Sequence, residues 1–336
     1  MASAGSKPKV AFIGTGGTIS SLGVHPLDLQ DYVVHNKRMH AGAIVARFPE
    51  VHEVADVIPV DFRNVPSTEI FFQEWKDLAG LCAELAAAHP DLAGIVIGHG
   101  TASLEETAYV LNLVLKVDLP VVLIGSQRPA SGLSTDAALN LVNGVRTAAA
   151  PDSRGRGVLV VLNDEIQAAR EVTKTSNWRL HTFRTPDFGV LGHADADRIA
   201  FYRKPERRHM PDTEFDLSGL DALPRVDIVY AYSGSDGTAV RAFVAAGAKG
   251  LVSAGFAPGM ASPADFAAMA QAVKQGVVVM QSSRAGSGRI HRGRRLVDAG
   301  ILAADNLNPQ KARLLLALAL TKTSDPAEIS RMFATY

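Results

Sequence analysis

The sequence predicts an α/β protein: a large, doubly wound N-terminal α/β domain followed by a smaller C-terminal α/β domain. Three observations carry that prediction. Short apolar runs rich in β-branched residues alternate with helix-length segments over most of the 336 residues, the pattern of a mostly parallel sheet with right-handed crossovers. Two strand–loop units, KVAFIGTGGTISS at 9–21 and GIVIGHGTASLEETAYVLN at 94–112, share one design of strand, glycine-bearing turn and hydroxyl residue. A charged, proline-bearing stretch at 203–224 breaks the alternation before it resumes. That stretch reads as a linker between a domain at 1–202 and a domain at 225–336.

In order, Val10–Ile13 is the first strand, followed by the turn Gly14–Gly17 and then Thr18. Glycines there permit a tight turn and close approach of a ligand. Residues 23–35 have no apolar period and read as a loop over the site. A short helix at 41–48, a strand at 54–60 and a helix at 70–88 follow. Gly94–Ile97 is an apolar run that suits a strand covered on both faces. Ser103 with Glu106 three residues on is a capping-box pattern, so a helix should start there. Thr101 then sits at the carboxyl end of a strand and in front of a helix N-terminus, where open α/β sheets bind ligands. Strands at 121–124 and 157–162 flank a helix at 135–149, and 163–193 is polar and irregular by pattern. In the second domain, strands at 226–231, 250–254 and 277–280 alternate with helices at 238–246 and 263–275. Two last helices start near Pro309 and Pro326, with proline early in each.

Composition excludes several classes. Lys+Arg and Asp+Glu are 34 each, so no global basic field attracts nucleic acid or an anionic membrane. No apolar run approaches the roughly 20 residues that span a bilayer. MASAGSKPKV lacks an apolar leader core, which makes a cytoplasmic protein the expectation. Cys82 is the single cysteine, so neither an intrachain disulfide nor a thiolate cluster can form. The turn at 14–17 fits neither the Walker pattern nor the dinucleotide fingerprint. The ten histidines have no metal-ligand spacing, and no serine lies in a nucleophile elbow.

Eight segments together resemble the bacterial-type L-asparaginase family: GTGGTIS (14–20), GHGTASLEETAYVLNL (98–113), RPASGLSTDAALNL (128–141), GVLVVLNDEI (157–166), EVTKTS (171–176), GLVSAG (250–255), SSRAGSG (282–288) and LNPQKARLLLALALT (307–321). They occur in the family's order from residue 9 to the end of the chain. The resemblance implies a cofactor-free amidohydrolase acting on a small amide, assembled as a homotetramer from intimate dimers. Each site would lie between the N-terminal domain of one subunit and the C-terminal domain of its neighbour. Residue by residue, Thr18 matches the nucleophilic threonine and Tyr32 its tyrosine partner. Thr101 matches the second catalytic threonine and Lys174 the lysine beside it. Ser67 matches a serine that holds the substrate's α-carboxylate. Gly17 and Gly100 bring backbone to the substrate. The chemistry suits these types: an oxygen nucleophile, a proton relay and oxyanion donors.

The departures point to an altered substrate. The family's asparagine-hydrolysing members carry an aspartate that binds the α-ammonium directly after the second threonine; here it is Ala102. Met260 stands where an asparagine is expected, and Thr68 replaces a glutamine. Arg294 or Arg295 falls near the position of a glutamate supplied by a neighbouring subunit. Together these changes remove the groups that would greet a cationic amine. They also imply a Lys174 of lowered pKa, through loss of an anionic neighbour. The expected function is hydrolysis of a small carboxamide that lacks a free α-ammonium. An ordinary cytoplasmic L-asparaginase is the alternative, and a non-catalytic ligand-binding homologue or an amidotransferase subunit are further ones. His99, Glu105, Glu106, Asp136 and Arg284 are expected in structural roles. Lys311 and Arg313 are expected to be solvated or at a subunit contact.

Overall fold

The computed structural model describes residues 6–336; residues 1–5, the start of the N-terminal stretch expected to lack a leader core, lie outside the described residues. The chain divides into two compact units, one ending at Ser218 and one beginning at Gly219. In the first unit the strands are β1 (Lys9–Gly16), β2 (Asp56–Val65), β3 (Leu92–Gly98), β4 (Val121–Ile124) and β5 (Val158–Leu162), then β6 (Glu165–Ala168), β7 (Thr173–Lys174), β8 (Phe183–Arg184), β9 (Gly192–Ala194) and β10 (Ile199–Phe201). Its helices are α1 (Ala41–Arg47), α2 (Val51–Val54), α3 (Phe72–Ala88), α4 (Leu104–Val114) and α5 (Ala137–Ala149).

Eight strands form one sheet in the order β10-β9-β6-β5-β4-β3-β1-β2. β2, β1, β3, β4 and β5 run parallel; β6, β9 and β10 add antiparallel pairs at one edge. Alternation along β1 builds both cores. Val10 and Phe12 join the layer with Ile44 of α1, Val51 of α2 and Leu141 and Val145 of α5. Ala11 and Ile13 join the opposite layer with Leu78 and Cys82 of α3 and Leu104, Ala108 and Leu111 of α4. A strand buried on both faces must be apolar throughout, which is why β3 reads LAGIVIG. Each of its large side chains contributes roughly 1.5–3 kcal/mol through burial.

The segment at 163–193, expected to be irregular, contains β6, β7, β8 and the start of β9. Four of its polar residues, Gln167, Arg170, Thr182 and Thr185, are buried. Gln167 is buried in β6, donating to the carbonyl of Phe183 at 2.7 Å and accepting from Thr185 Oγ1 at 2.8 Å. A satisfied buried amide costs little but breaks the apolar run a strand is recognised by. Likewise, the proline-bearing segment expected as a linker packs on the first unit as far as Ser218. Met210, Phe215 and Leu217 are buried, and Lys116 Nζ donates to Thr213 Oγ1 at 2.7 Å.

The second unit is a four-stranded parallel sheet of β11 (Val226–Tyr230), β12 (Gly250–Gly255), β13 (Val278–Ser283) and β14 (Leu302–Ala303), in that order. Helices α6 (Thr238–Ala245), α7 (Pro263–Lys274), α8 (Arg294–Asp298), α9 (Pro309–Ala319) and α10 (Pro326–Thr335) surround it. Val240, Met269 and Leu296 form its core with Val229, Leu251 and Val279. Lys311, expected to be solvated or at a subunit contact, is instead 1% exposed within the single chain, because the α9 face that carries it turns inward. Among the described residues, no helix is long and apolar enough to cross a membrane.

Candidate active site

β1 is the sheet's switch point: the chain leaves it for β2 on one side, while β3 and β4 lie on the other. Ligands bind at such points, outside the carboxyl ends of the strands. Gly14 of β1 pairs with Gly98 of β3, so the loops carrying Thr18 and Thr101 leave the sheet side by side. Thr15 Oγ1 donates to the Gly98 carbonyl at 3.0 Å, tying them. Gly17 has φ +79°, and a Cβ on it would lie 2.2 Å from Gly100 Cα; a Cβ on Gly100 would lie 2.8 Å from Ser67 Cβ. Three backbone segments interlock there, which no larger residue permits.

The expected capping box at α4 does not form. Ser103 Oγ instead donates to the Ser67 carbonyl at 2.6 Å, recruited across to the neighbouring loop. His99 is fully buried, with Nδ1 2.8 Å from the Gly100 carbonyl. Burial pushes its pKa down to about 4, so it is neutral at physiological pH and shapes the loop.

Above these loops lies a cavity of about 360 Å³. Gly17, Thr18, Tyr32, Ser67, Thr68, Gly100, Thr101 and Ala102 all line it. Each of the two threonines on this wall has a side-chain partner. Thr18 Oγ1 is 2.9 Å from the Tyr32 hydroxyl. Lys174 Nζ donates to Thr101 Oγ1 at 2.8 Å. Tyr32 arrives on a 3-10 turn, Asp31–Val33. That turn is anchored by buried Asp28, whose carboxylate accepts from Val24 N at 3.0 Å and Asp31 N at 3.1 Å. Lys174 arrives on β7, paired with β8.

Lys174 lies below the ordinary lysine range because burial disfavours its charge; the Glu105 carboxylate acts in the opposite direction. The direction agrees with the expectation, but burial, rather than a missing anionic neighbour, is the leading cause. Glu105 is itself buried, accepting from Thr173 Oγ1 and from Lys174 N, each at 3.2 Å. Its place at the helix N-terminus did not reveal this role, which depends on a segment almost seventy residues away. Arg38, also on the cavity wall, was missed as well; it sits in a polar stretch without periodicity. Ala102 and Thr68 are exposed on the wall.

Met260 and Arg295 belong to the second unit. Met260 is 51% exposed, in a bridge with Phe256, and the Arg295 guanidinium lies 4.0 Å from the Phe266 ring centroid. Asp136 accepts from the backbone of Gln127 and Arg128, and Arg284 donates to the Ala231 carbonyl at 3.0 Å, both structural contacts. Among the described residues no group of three or more His, Cys, Asp and Glu is placed to hold a metal ion.

Such an arrangement can activate one hydroxyl through a phenol and another through an amine of lowered basicity, at one small cavity. The sequence matches the family models for the asparaginase N-terminal domain over residues 9–207 and the glutaminase/asparaginase C-terminal domain over 225–333. It is 42% identical to L-asparaginase 2 of Bacillus subtilis over 329 residues, covering 98% of this chain and 87% of that protein. It is 38% identical to a probable periplasmic L-asparaginase of Haemophilus influenzae, covering 100% and 95% of the two chains. The fold matches the crystal structure of a probable cytoplasmic L-asparaginase from Campylobacter jejuni with a TM-score of 0.92 at 36% identity, covering 99% of this chain and 100% of that one. With both domains matched and identity sustained along the whole chain, this protein belongs to the asparaginase family.

Proposed function

We propose that this protein hydrolyses a small carboxamide to its carboxylate and ammonia, with Thr18 as nucleophile and a preferred substrate that lacks a free α-ammonium. One observation carries the reading: Thr18, Tyr32 and Thr101 line one cavity beyond the ends of adjacent strands, with Thr18 2.9 Å from Tyr32 and Thr101 accepting from Lys174 at 2.8 Å. Thr18 Oγ1 attacks the amide carbonyl carbon, and Tyr32 relays its proton towards the departing nitrogen. Backbone N–H groups of the two glycine-bearing loops serve the oxyanion. The C–N bond breaks, ammonia leaves, and Thr18 holds the acyl group as an ester. Lys174, through Thr101, takes a proton from the water that cleaves the ester, and the Thr18 hydroxyl is restored. Amide and water thus give carboxylate and ammonium.

The substrate preference rests on the wall. Among the described residues no acidic side chain lines the cavity, and Ala102 offers a methyl group. A lone ammonium removed from water costs several kcal/mol. Ala102 is exposed in the single chain, so that cost applies only in so far as the bound substrate loses its water. A second reading, ordinary L-asparagine hydrolysis, is favoured by the activity named for the Bacillus subtilis relative.

Ammonia release from L-asparagine, L-glutamine, succinamate and N-acetyl-asparagine, with Thr18→Ala as control, separates the two. Turnover of L-asparagine at sub-millimolar concentration refutes the altered preference; reaction of the amine-free or amine-blocked amides alone supports it. Two further proposals follow from family membership: a homotetramer built as a dimer of intimate dimers, checked by light scattering, and a cytoplasmic location like that named for the Campylobacter jejuni neighbour, checked by cell fractionation.

A further inference from the structure

We infer that Arg38 is a specificity-determining residue that pairs with a carboxylate on the substrate. The preferred class is then the anionic amides in which one carboxylate of a small dicarboxylic acid is free and the other is amidated. The inference rests on the hydrolase reading and deepens it.

A short antiparallel pairing places Arg38 on the cavity wall. Ser21 bridges Arg38, Leu22 N donates to the Lys37 carbonyl at 2.9 Å, and Met39 N donates to the Ser20 carbonyl at 2.8 Å. Arg38 is thus held directly behind the loop that carries Thr18. A guanidinium has five N–H donors. Here Nη1 makes one long bond, 3.3 Å to the Asn64 carbonyl, and among the described residues no carboxylate pairs with it. Arg38 is half-buried, so it is neither fully hydrated nor committed to the fold.

The charge balance of the wall makes this informative. Among the described residues Arg38 is the lining residue that carries a full charge, and none that lines the cavity is acidic. A site for an amino acid must offer a partner to an ammonium as well as to a carboxylate. This one offers a partner to the carboxylate alone, with Ser67 as a second, neutral donor on the same wall. Arginine suits the task, because its planar fork matches a carboxylate in two parallel hydrogen bonds.

The test compares succinamate with its neutral isostere succinamide on the intact enzyme, and measures succinate binding by calorimetry. The wild type should favour succinamate, chiefly through KM. Arg38→Gln should raise KM for succinamate by roughly 10- to 100-fold, the range of a charge-assisted hydrogen-bonded contact, while leaving kcat within about threefold and succinamide unaffected. Arg38→Lys, which keeps the charge and loses the fork, should fall between. Unchanged discrimination in a folded Arg38→Gln overturns the inference. Calorimetry does not depend on turnover. If the wild type releases no ammonia from any amide yet Arg38→Gln loses succinate binding, the hydrolase reading fails and the Arg38 inference stands. If both proteins bind succinate alike, the inference fails whatever the activity.

Discussion

Replacing Lys174 by methionine removes one donor and little volume. The ammonium sits 2.8 Å from Thr101 Oγ1, and its pKa is held down by burial. For stability two effects oppose. The lost hydrogen bond is worth about 1 kcal/mol, and removing a partly buried charge recovers a desolvation cost of similar size. Unfolding free energy near neutral pH should therefore change by no more than about 1 kcal/mol. Activity should change far more, because a positioned base contributes about 10²–10⁴-fold, or about 3–5 kcal/mol of barrier. The pH dependence identifies the cause. Lys174 must be neutral to accept a proton, so wild-type kcat should rise with pH through its depressed pKa, and the variant should lack that rise. Stability follows the same titration. Below the folded pKa the lysine is charged in both states, and the fold bears the cost of burying it. As pH climbs from the depressed value towards the ordinary lysine range, the unfolded chain binds more protons and stability increases; Lys174→Met should flatten that slope. Stopped-time ammonia assays and denaturant melts across pH check both. A variant within tenfold of wild type, with the alkaline rise intact, would refute the assignment of Lys174 as base.

Other perturbations probe the surrounding structure. Glu105→Gln deletes the carboxylate that works against burial at Lys174, so the rise in kcat should move to lower pH; movement to higher pH contradicts the electrostatics. Ala102→Asp restores an anion to the wall and should improve kcat/KM for L-asparagine over succinamate by at least about tenfold, about 1.4 kcal/mol, with Lys174 titrating higher. Gly17→Ala forces a side chain to φ +79° and into Gly100. It should cost roughly 2 kcal/mol or more in a urea melt, and a neutral result would mean the loops can part. Tyr32→Phe removes the partner of Thr18 at 2.9 Å and should lower kcat about 10²-fold or more without shifting the melting midpoint by more than a degree or two.

What the sequence reveals here depends on where each residue's partner lies. The doubly wound core is legible because β3, β4, β5 and the middle of β1 are buried on both faces and are apolar there. Thr18 and Thr101 are legible because a glycine-bearing loop at a strand end has few physical purposes. β6 is hidden because Gln167 meets its needs inside the sheet, through Phe183 and Thr185. The capping box at Ser103 misleads for a similar reason: its local partner is outbid by the Ser67 carbonyl. Glu105 and Arg38 acquire their importance from segments distant in sequence, so neither spacing nor periodicity marks them. The family resemblance, through the aspartate replaced by Ala102, implies a lowered Lys174 pKa, but only the fold identifies burial as the main cause.

The contact of Gly17 with Gly100 separates what this protein can vary from what it cannot. Main chain meets main chain there, so the spacing of the loops that carry Thr18 and Thr101 is set by backbone atoms and is indifferent to the side chains around the cavity. Thr68 and Ala102 stand outside that contact and are exposed, free to be exchanged without displacing Thr18 or Thr101. Substitutions that alter what the cavity accepts therefore belong on its wall, and the glycines that hold the two loops together are the positions to leave alone.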